Sequence, residues 1–169
     1  MKIEIANEND TDVAAIRAVT IAAFLRAPHT SHTEQLIVDA LRKAGQLTLS
    51  LVAKADGAIV GHVAISPVSI SDGAAGWYGL GPLSVAPECQ RRGIGSCLMR
   101  EALRELERQG ASGCVLLGDP GYYHRFGFRV DPNLELPGVP VEYFQALSFG
   151  GSMPRGTVTY QPAFDESMT

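Results

Sequence analysis

The period of the apolar positions changes several times along the chain, and each change marks an element. Lys2–Ala6 alternates apolar with polar residues, which predicts a half-buried first strand. Asn7-Glu8-Asn9-Asp10 supplies turn and capping groups, after which Val13, Ile16, Ala23 and Phe24 recur at helical spacing up to Pro28. Ser31 and Thr33 offer caps to a second helix, whose stripe of Leu36, Ile37, Ala40 and Leu41 stops at Gly45. The runs Leu47–Lys54 and Ala58–Pro67 flank Ala55-Asp56-Gly57, a short glycine-containing link that predicts an antiparallel hairpin. Ser69–Gly76 reads as a loop, and Trp77–Val85 as a strand broken by Gly79, Gly81 and Pro82. Proline has no N–H for a ladder, so this strand is expected to bulge or splay.

Ile94, Leu98, Ala102 and Leu106 recur every four residues, giving an amphipathic helix over Ile94–Arg108 that ends at Gly110. The apolar run Gly113–Gly118 is a strand of a sheet interior, and strand, helix, strand implies a parallel crossover. A short helix at Pro120–Arg125, a strand start at Phe128–Val130 and strands at Val141–Ser148 and Thr157–Tyr160 complete the order. The fold class is α/β, a mixed sheet with helices on both faces.

Composition narrows the setting. At 169 residues with 46% hydrophobic content the chain is read as one domain over 1–169 with a real core. Fourteen basic against eighteen acidic side chains leave a net charge of −4, which argues against nucleic acid as a main partner. No apolar run approaches the roughly 20 residues that span a bilayer. The first residues lack the layout of a secretion leader, and Cys89, Cys97 and Cys114 are odd in number without metal-type spacing. A cytoplasmic protein with reduced thiols is the expectation.

The chemistry concentrates in Pro87-Glu88-Cys89-Gln90-Arg91-Arg92-Gly93-Ile94-Gly95-Ser96, which joins the splayed strand to the long helix. Arg91 and Arg92 stand at a helix N-terminus, where the macrodipole already disfavours cations, so an anion belongs there. Gly93 and Gly95 let the backbone approach a phosphate closely with its amides exposed. No Lys-Ser or Lys-Thr follows, which excludes a P-loop, and the third glycine of a dinucleotide fingerprint is replaced by Leu98.

Leu83-Ser84-Val85-Ala86-Pro87 leading into Gln90-Arg91-Arg92-Gly93-Ile94-Gly95 resembles the acetyl-CoA-binding signature of the GCN5-related N-acetyltransferases (GNAT family). Gly118-Asp119-Pro120-Gly121-Tyr122-Tyr123-His124-Arg125-Phe126-Gly127-Phe128 is similar to that family's Tyr-x-x-x-Gly-Phe segment, in the form of its YhbS-like branch. The resemblance runs from about Ile3 to Tyr160. It implies a mostly antiparallel twisted sheet with a splayed parallel strand pair, and acetyl-CoA as the acetyl donor without a metal. The backbone of Leu83, Ser84 and Val85 would line the pantetheine arm. Gln90, Arg91, Arg92, Gly93, Ile94, Gly95 and Ser96 would form the phosphate site.

The resemblance also implies direct transfer to a primary amine of a small molecule or peptide. Tyr123 matches the tyrosine that protonates the departing thiolate, with its neighbour Tyr122 as the alternative, and a phenol is neutral and able to donate at pH 7. A free N–H near Leu83 would stabilise the thioester oxygen. Trp77–Leu83 contains no Asp or Glu, so the base is left open among Glu34, His62 and a backbone carbonyl, each reached through water. His29 and His32 make a poor metal pair without further ligands. Arg125 is open between a CoA phosphate and a carboxylate, and the oligomeric state between monomer and homodimer. A CoA-binding module without turnover is the rival reading.

Overall fold

The computed structural model describes residues 2–28 and 30–166. The main sheet has six strands in the order β1-β2-β3-β5-β6-β8. They are β1 (Ile3–Asn7), β2 (Leu49–Ala55), β3 (Ala58–Pro67), β5 (Trp77–Val85), β6 (Gly113–Leu117) and β8 (Phe144–Ser148). Every neighbouring pair is antiparallel except β5 with β6. A small second sheet joins β4 (Ser69–Ile70), β7 (Leu134–Glu135) and β9 (Gly156–Thr159).

Alternation along β2 and β3 sorts the core onto two faces. Leu49, Leu51, Ala53, Val63 and Ile65 meet Ile94, Leu98, Met99, Ala102 and Leu106 of α3 (Ile94–Arg108). Val52 and Ala64 point the other way, against Ile16 of α1 (Val13–Phe24) and Val38 of α2 (Glu34–Lys43). Two helical layers thus bury both sides of the central strands, as the sequence pattern anticipates.

Several boundaries differ from the sequence reading. The first helix starts after a 3-10 turn at Asp10–Asp12, where Asn9 and Asp12 cap each other reciprocally. It ends at Phe24, short of Pro28. Neither Ser31 nor Thr33 caps α2 through its side chain; instead the Glu34 carboxylate accepts from the Ser31 amide and from the Thr30 and Ser31 hydroxyls. Ser69–Ile70, expected as loop, is a strand because β9 supplies a distant partner. Val141–Tyr143 forms a 3-10 turn ahead of β8, and Phe128–Val130 contributes only an isolated bridge, Arg129 to Ala146. The strand β7 and the C-terminal helix α5 (Pro162–Glu166) are too short to leave a periodic signal.

The expected splay is explicit in the ladder. β5 pairs with β6 only at Trp77, Tyr78 and Gly79, opposite Gly113, Cys114 and Val115, and then runs on to Val85 without it. On its other edge β5 stays joined to β3, with a register shift where Gly81 and Pro82 fall between Leu80 and Leu83. One edge of β5 is therefore free from the fork onward.

Candidate active site

The edge that β6 leaves free carries usable backbone groups. The Ala86 amide donates to Val60 O at 2.8 Å, so Ala86 faces β3. By antiparallel alternation Ser84 faces β3 as well, and Leu83 and Val85 turn their N–H and C=O into the fork. The Val85 carbonyl accepts a bond of 3.1 Å from Gln90 Nε2, which ties the following turn to the strand end.

That turn leads into α3 without a capping side chain. Gly93 occupies the N-cap position with φ 80°, so the amides of Ile94, Gly95 and Ser96 have no side-chain acceptor. Arg91 also adopts a left-handed φ of 65°, strain of order 1 kcal/mol for a residue with a side chain. Arg91 and Arg92 are exposed, and among the described residues neither guanidinium has a carboxylate partner. Positive charge and free N–H groups coincide on one turn.

A cleft of about 450 Å³ lies between this turn and the free edge. Leu83, Val85, Gln90, Arg91, Gly93, Ile94, Gly95 and Ser96 all border it. Ser84 does not: its side chain is buried on the α1–α2 face. The sequence reading missed part of the wall, Ala23 and Phe24 at the end of α1 and Cys89 before Gln90, because these apolar residues carry no motif.

Of two adjacent tyrosines, Tyr122 borders the cleft and Tyr123 does not. Asp119 caps α4 (Pro120–Tyr123) by accepting from the Gly121 amide at 2.9 Å. The Tyr122 hydroxyl then reaches Ser96 Oγ at 3.3 Å, with Arg125 stacked 4.5 Å over its ring. Tyr123 turns inward, its ring against Phe126, Phe128 and the Cα of Gly118. Burial above all, with Tyr122 and Asp119 adding to it, pushes the Tyr123 phenol up to about 12. It therefore holds its proton at neutral pH. Arg125 borders the cleft as well, and its Nε donates to Tyr122 O at 2.9 Å.

Burial raises the affinity of Glu34 for a proton, but the Thr30 and Ser31 hydrogen bonds outweigh it and hold the carboxyl below its usual range. His62 is fully buried on β3, and burial lowers its pKa to about 4. His29 lies outside the described residues, and among these no cluster of three or more His, Cys, Asp or Glu is arranged to hold a metal.

A forked β5–β6 pair followed by an amide-rich turn is the layout of an acyl-CoA-dependent acetyltransferase. The chain belongs to the GNAT family, matching the acetyltransferase (GNAT) domain over residues 46–130. It is 39% identical over 122 residues to the N-acetyltransferase YhbS of Escherichia coli strain K12, covering 72% of this chain and 73% of that protein. A crystal structure of a GNAT family acetyltransferase from Brucella melitensis in complex with acetyl-CoA superimposes with a TM-score of 0.87 at 51% identity, covering 97% of this chain and 99% of that one. YhbS from Escherichia coli in complex with CoA gives a TM-score of 0.87 at 32% identity, over 98% of this chain and 93% of that one.

Proposed function

We propose that the chain, as one domain over residues 1–169, transfers the acetyl group of acetyl-CoA to a primary amine of a small molecule or peptide. The observation that carries this reading is the coincidence, on the Arg91–Ser96 turn, of two exposed guanidinium groups that have no carboxylate partner among the described residues, Arg91 bordering the cleft, with uncapped helix amides beside a free strand edge. An anion with an extended amide-bearing arm satisfies all three at once, and CoA has that form. The Brucella melitensis neighbour is described in complex with acetyl-CoA.

Acetyl-CoA supplies an acetyl group activated by a thiol leaving group. Leu83 and Val85 offer backbone partners to the arm, and Ser84 contributes through the strand itself. The amides of Ile94, Gly95 and Ser96, with Arg91 and Arg92, hold the phosphates, while Gln90 fixes the turn. A side chain at Gly95 would press on the Tyr122 hydroxyl, at 3.1 Å from an added Cβ, so glycine keeps the cleft open there. The Leu83 N–H stabilises the charge that develops on the thioester oxygen. Tyr123 keeps its proton for the departing sulfur. Tyr122, bonded to Ser96, belongs to the phosphate end.

The rest of the reading concerns setting. The three cysteines are unpaired, which suits a reducing cytoplasm. No helix among the described residues is long and apolar enough to cross a membrane. Titration with acetyl-CoA in a calorimeter, followed by thiol release with a panel of amines, tests the function. Heat without thiol release for any amine leaves a CoA-binding module; no heat removes the reading altogether.

A further inference from the structure

Gln145 is fully buried on β8, between Phe144 and Ala146, which pack into the core on the other face of the sheet. Alternation turns Gln145 toward the α3 side, directly opposite Leu116 of β6, which shares its core with Phe128. Its Nε2 donates to the Gly118 carbonyl at 3.0 Å. A carbonyl oxygen only accepts, so the nitrogen is the end that faces it. The amide oxygen, Oε1, is then buried with no hydrogen-bond partner among the described residues. An orphaned acceptor of this kind offsets the stability that one bond contributes. Fold stability therefore gives no reason for an amide at this apolar position.

The peptide that Gln145 holds supplies one. Gly118 ends β6, and its own amide donates to Tyr143 O at 2.9 Å. The next residue, Asp119, opens α4, and the amides of Tyr122 and Tyr123 both donate to its carbonyl at 3.1 Å. The Tyr123 ring lies where a Cβ on residue 118 would stand, so only glycine admits it. Glycine also leaves its peptide freer to rotate than any other residue would. Gln145 removes that freedom: Tyr143 holds the N–H of Gly118, and Gln145 holds its C=O.

We infer that Gln145 is a positioning residue for acetyl transfer. Through Gly118 O it fixes both the peptide against which the Tyr123 ring rests and the chain from which α4 departs. It thereby sets where the Tyr123 hydroxyl stands. The inference rests on the acetyl-transfer reading, in which that hydroxyl serves the departing sulfur. The orphaned Oε1 is the cost of placing a long N–H donor in an apolar layer, and a soft glycine peptide under the ring is what requires the donor.

The test uses the full chain, ethylamine as the probe acceptor and tyrosine labelled with ¹³C at Cζ. Gln145→Leu should lower kcat for thiol release about fivefold to tenfold, and no more than Tyr123→Phe does, since misplacing a phenol cannot lose more than removing its hydroxyl. The KM and Kd for acetyl-CoA should stay within about twofold, because the cleft itself is untouched. In a Tyr123→Phe background, Gln145→Leu should change kcat by less than about twofold. In NMR spectra the Tyr123 Cζ signal, identified by its loss in Tyr123→Phe, should shift in Gln145→Leu. The signal of Tyr160, packed in the core on the other face, should stay.

A Tyr123 signal unmoved by Gln145→Leu, a loss in KM rather than kcat, or an equal loss with and without the Tyr123 hydroxyl would overturn the inference. If Gln145→Leu does not fold, Gln145→Met, unbranched and without a donor, carries the same measurements. If ethylamine is not acetylated, the tyrosine spectra decide it. Absence of acetyl-CoA binding to the wild-type chain is a separate result: it removes the acetyl-transfer reading, while the spectra still judge whether Gln145 places Tyr123.

Discussion

The Tyr122 hydroxyl lies 3.3 Å from Ser96 Oγ, so the one-turn helix α4 spans the cleft to the first turn of α3. Its neighbour Tyr123 faces elsewhere: the two rings sit 4.9 Å apart with planes at 88°. Adjacent tyrosines therefore have different surroundings: Tyr122 borders the cleft, and Tyr123 packs inward beside Gly118 and Phe128.

This division predicts opposite kinetic signatures. Tyr123→Phe should lower turnover about tenfold or more while CoA affinity stays within about twofold. Tyr122→Phe should weaken CoA by several-fold, the worth of a hydrogen bond of about 1 kcal/mol, with a smaller effect on turnover. Thiol release and calorimetry on both variants check this, and reversed signatures would exchange the roles.

Arg91 and Arg92 provide the second test. Replacing both with Ala should weaken CoA about tenfold or more, since a charge-assisted bond to phosphate contributes roughly 1.5–3 kcal/mol. The loss should exceed that for dephospho-CoA if either side chain meets the 3′-phosphate; equal losses confine them to the pyrophosphate. Raising the salt should weaken wild-type binding far more than binding by the double variant.

Gly118 supports Tyr123 by having no side chain. A Cβ there would overlap the Tyr123 ring, which also packs edge-on against Phe128. Gly118→Ala should cost about 1–3 kcal/mol of stability by overpacking and should lower turnover by moving the phenol. A thermal melt and the thiol assay, run together, measure both.

His62 predicts the acid response of the fold. Its folded pKa, lowered by burial from 6.5 to about 4, means that the unfolded chain binds the proton more tightly. Its contribution is fully present above pH 6.5 and is lost as the pH falls toward 4, at most about 3 kcal/mol. Glu8, whose burial is outweighed by bonds from Arg42 and Ser50 that hold it low, has the same sign, with its loss beginning at the ordinary carboxylate range and continuing below it. Denaturant melts between pH 7 and 4 should show a smaller decline for His62→Gln than for the wild type.

Much of this protein was legible locally. The alternation in Lys2–Ala6, the four-residue recurrence in Ile94–Arg108 and the proline inside Trp77–Val85 each report a short-range constraint, and each element forms where that constraint places it. The Arg91–Gly95 turn was equally plain, because helix-end electrostatics and glycine geometry act within a few residues. The two-residue strands β4 and β7 were not, since their ladders exist only through the distant β9.

The sequence by itself determined the layered architecture, the fork-forming strand and the turn where arginines and glycines meet a helix N-terminus, all products of neighbours along the chain. Only the tertiary structure decided which tyrosine borders the cleft, that Ser84 turns away from it, and that Gln145 reaches the carbonyl of Gly118. Those relations depend on the register between strands and the side of a helix that packs inward, and pairing across the sheet sets them together rather than any single segment alone.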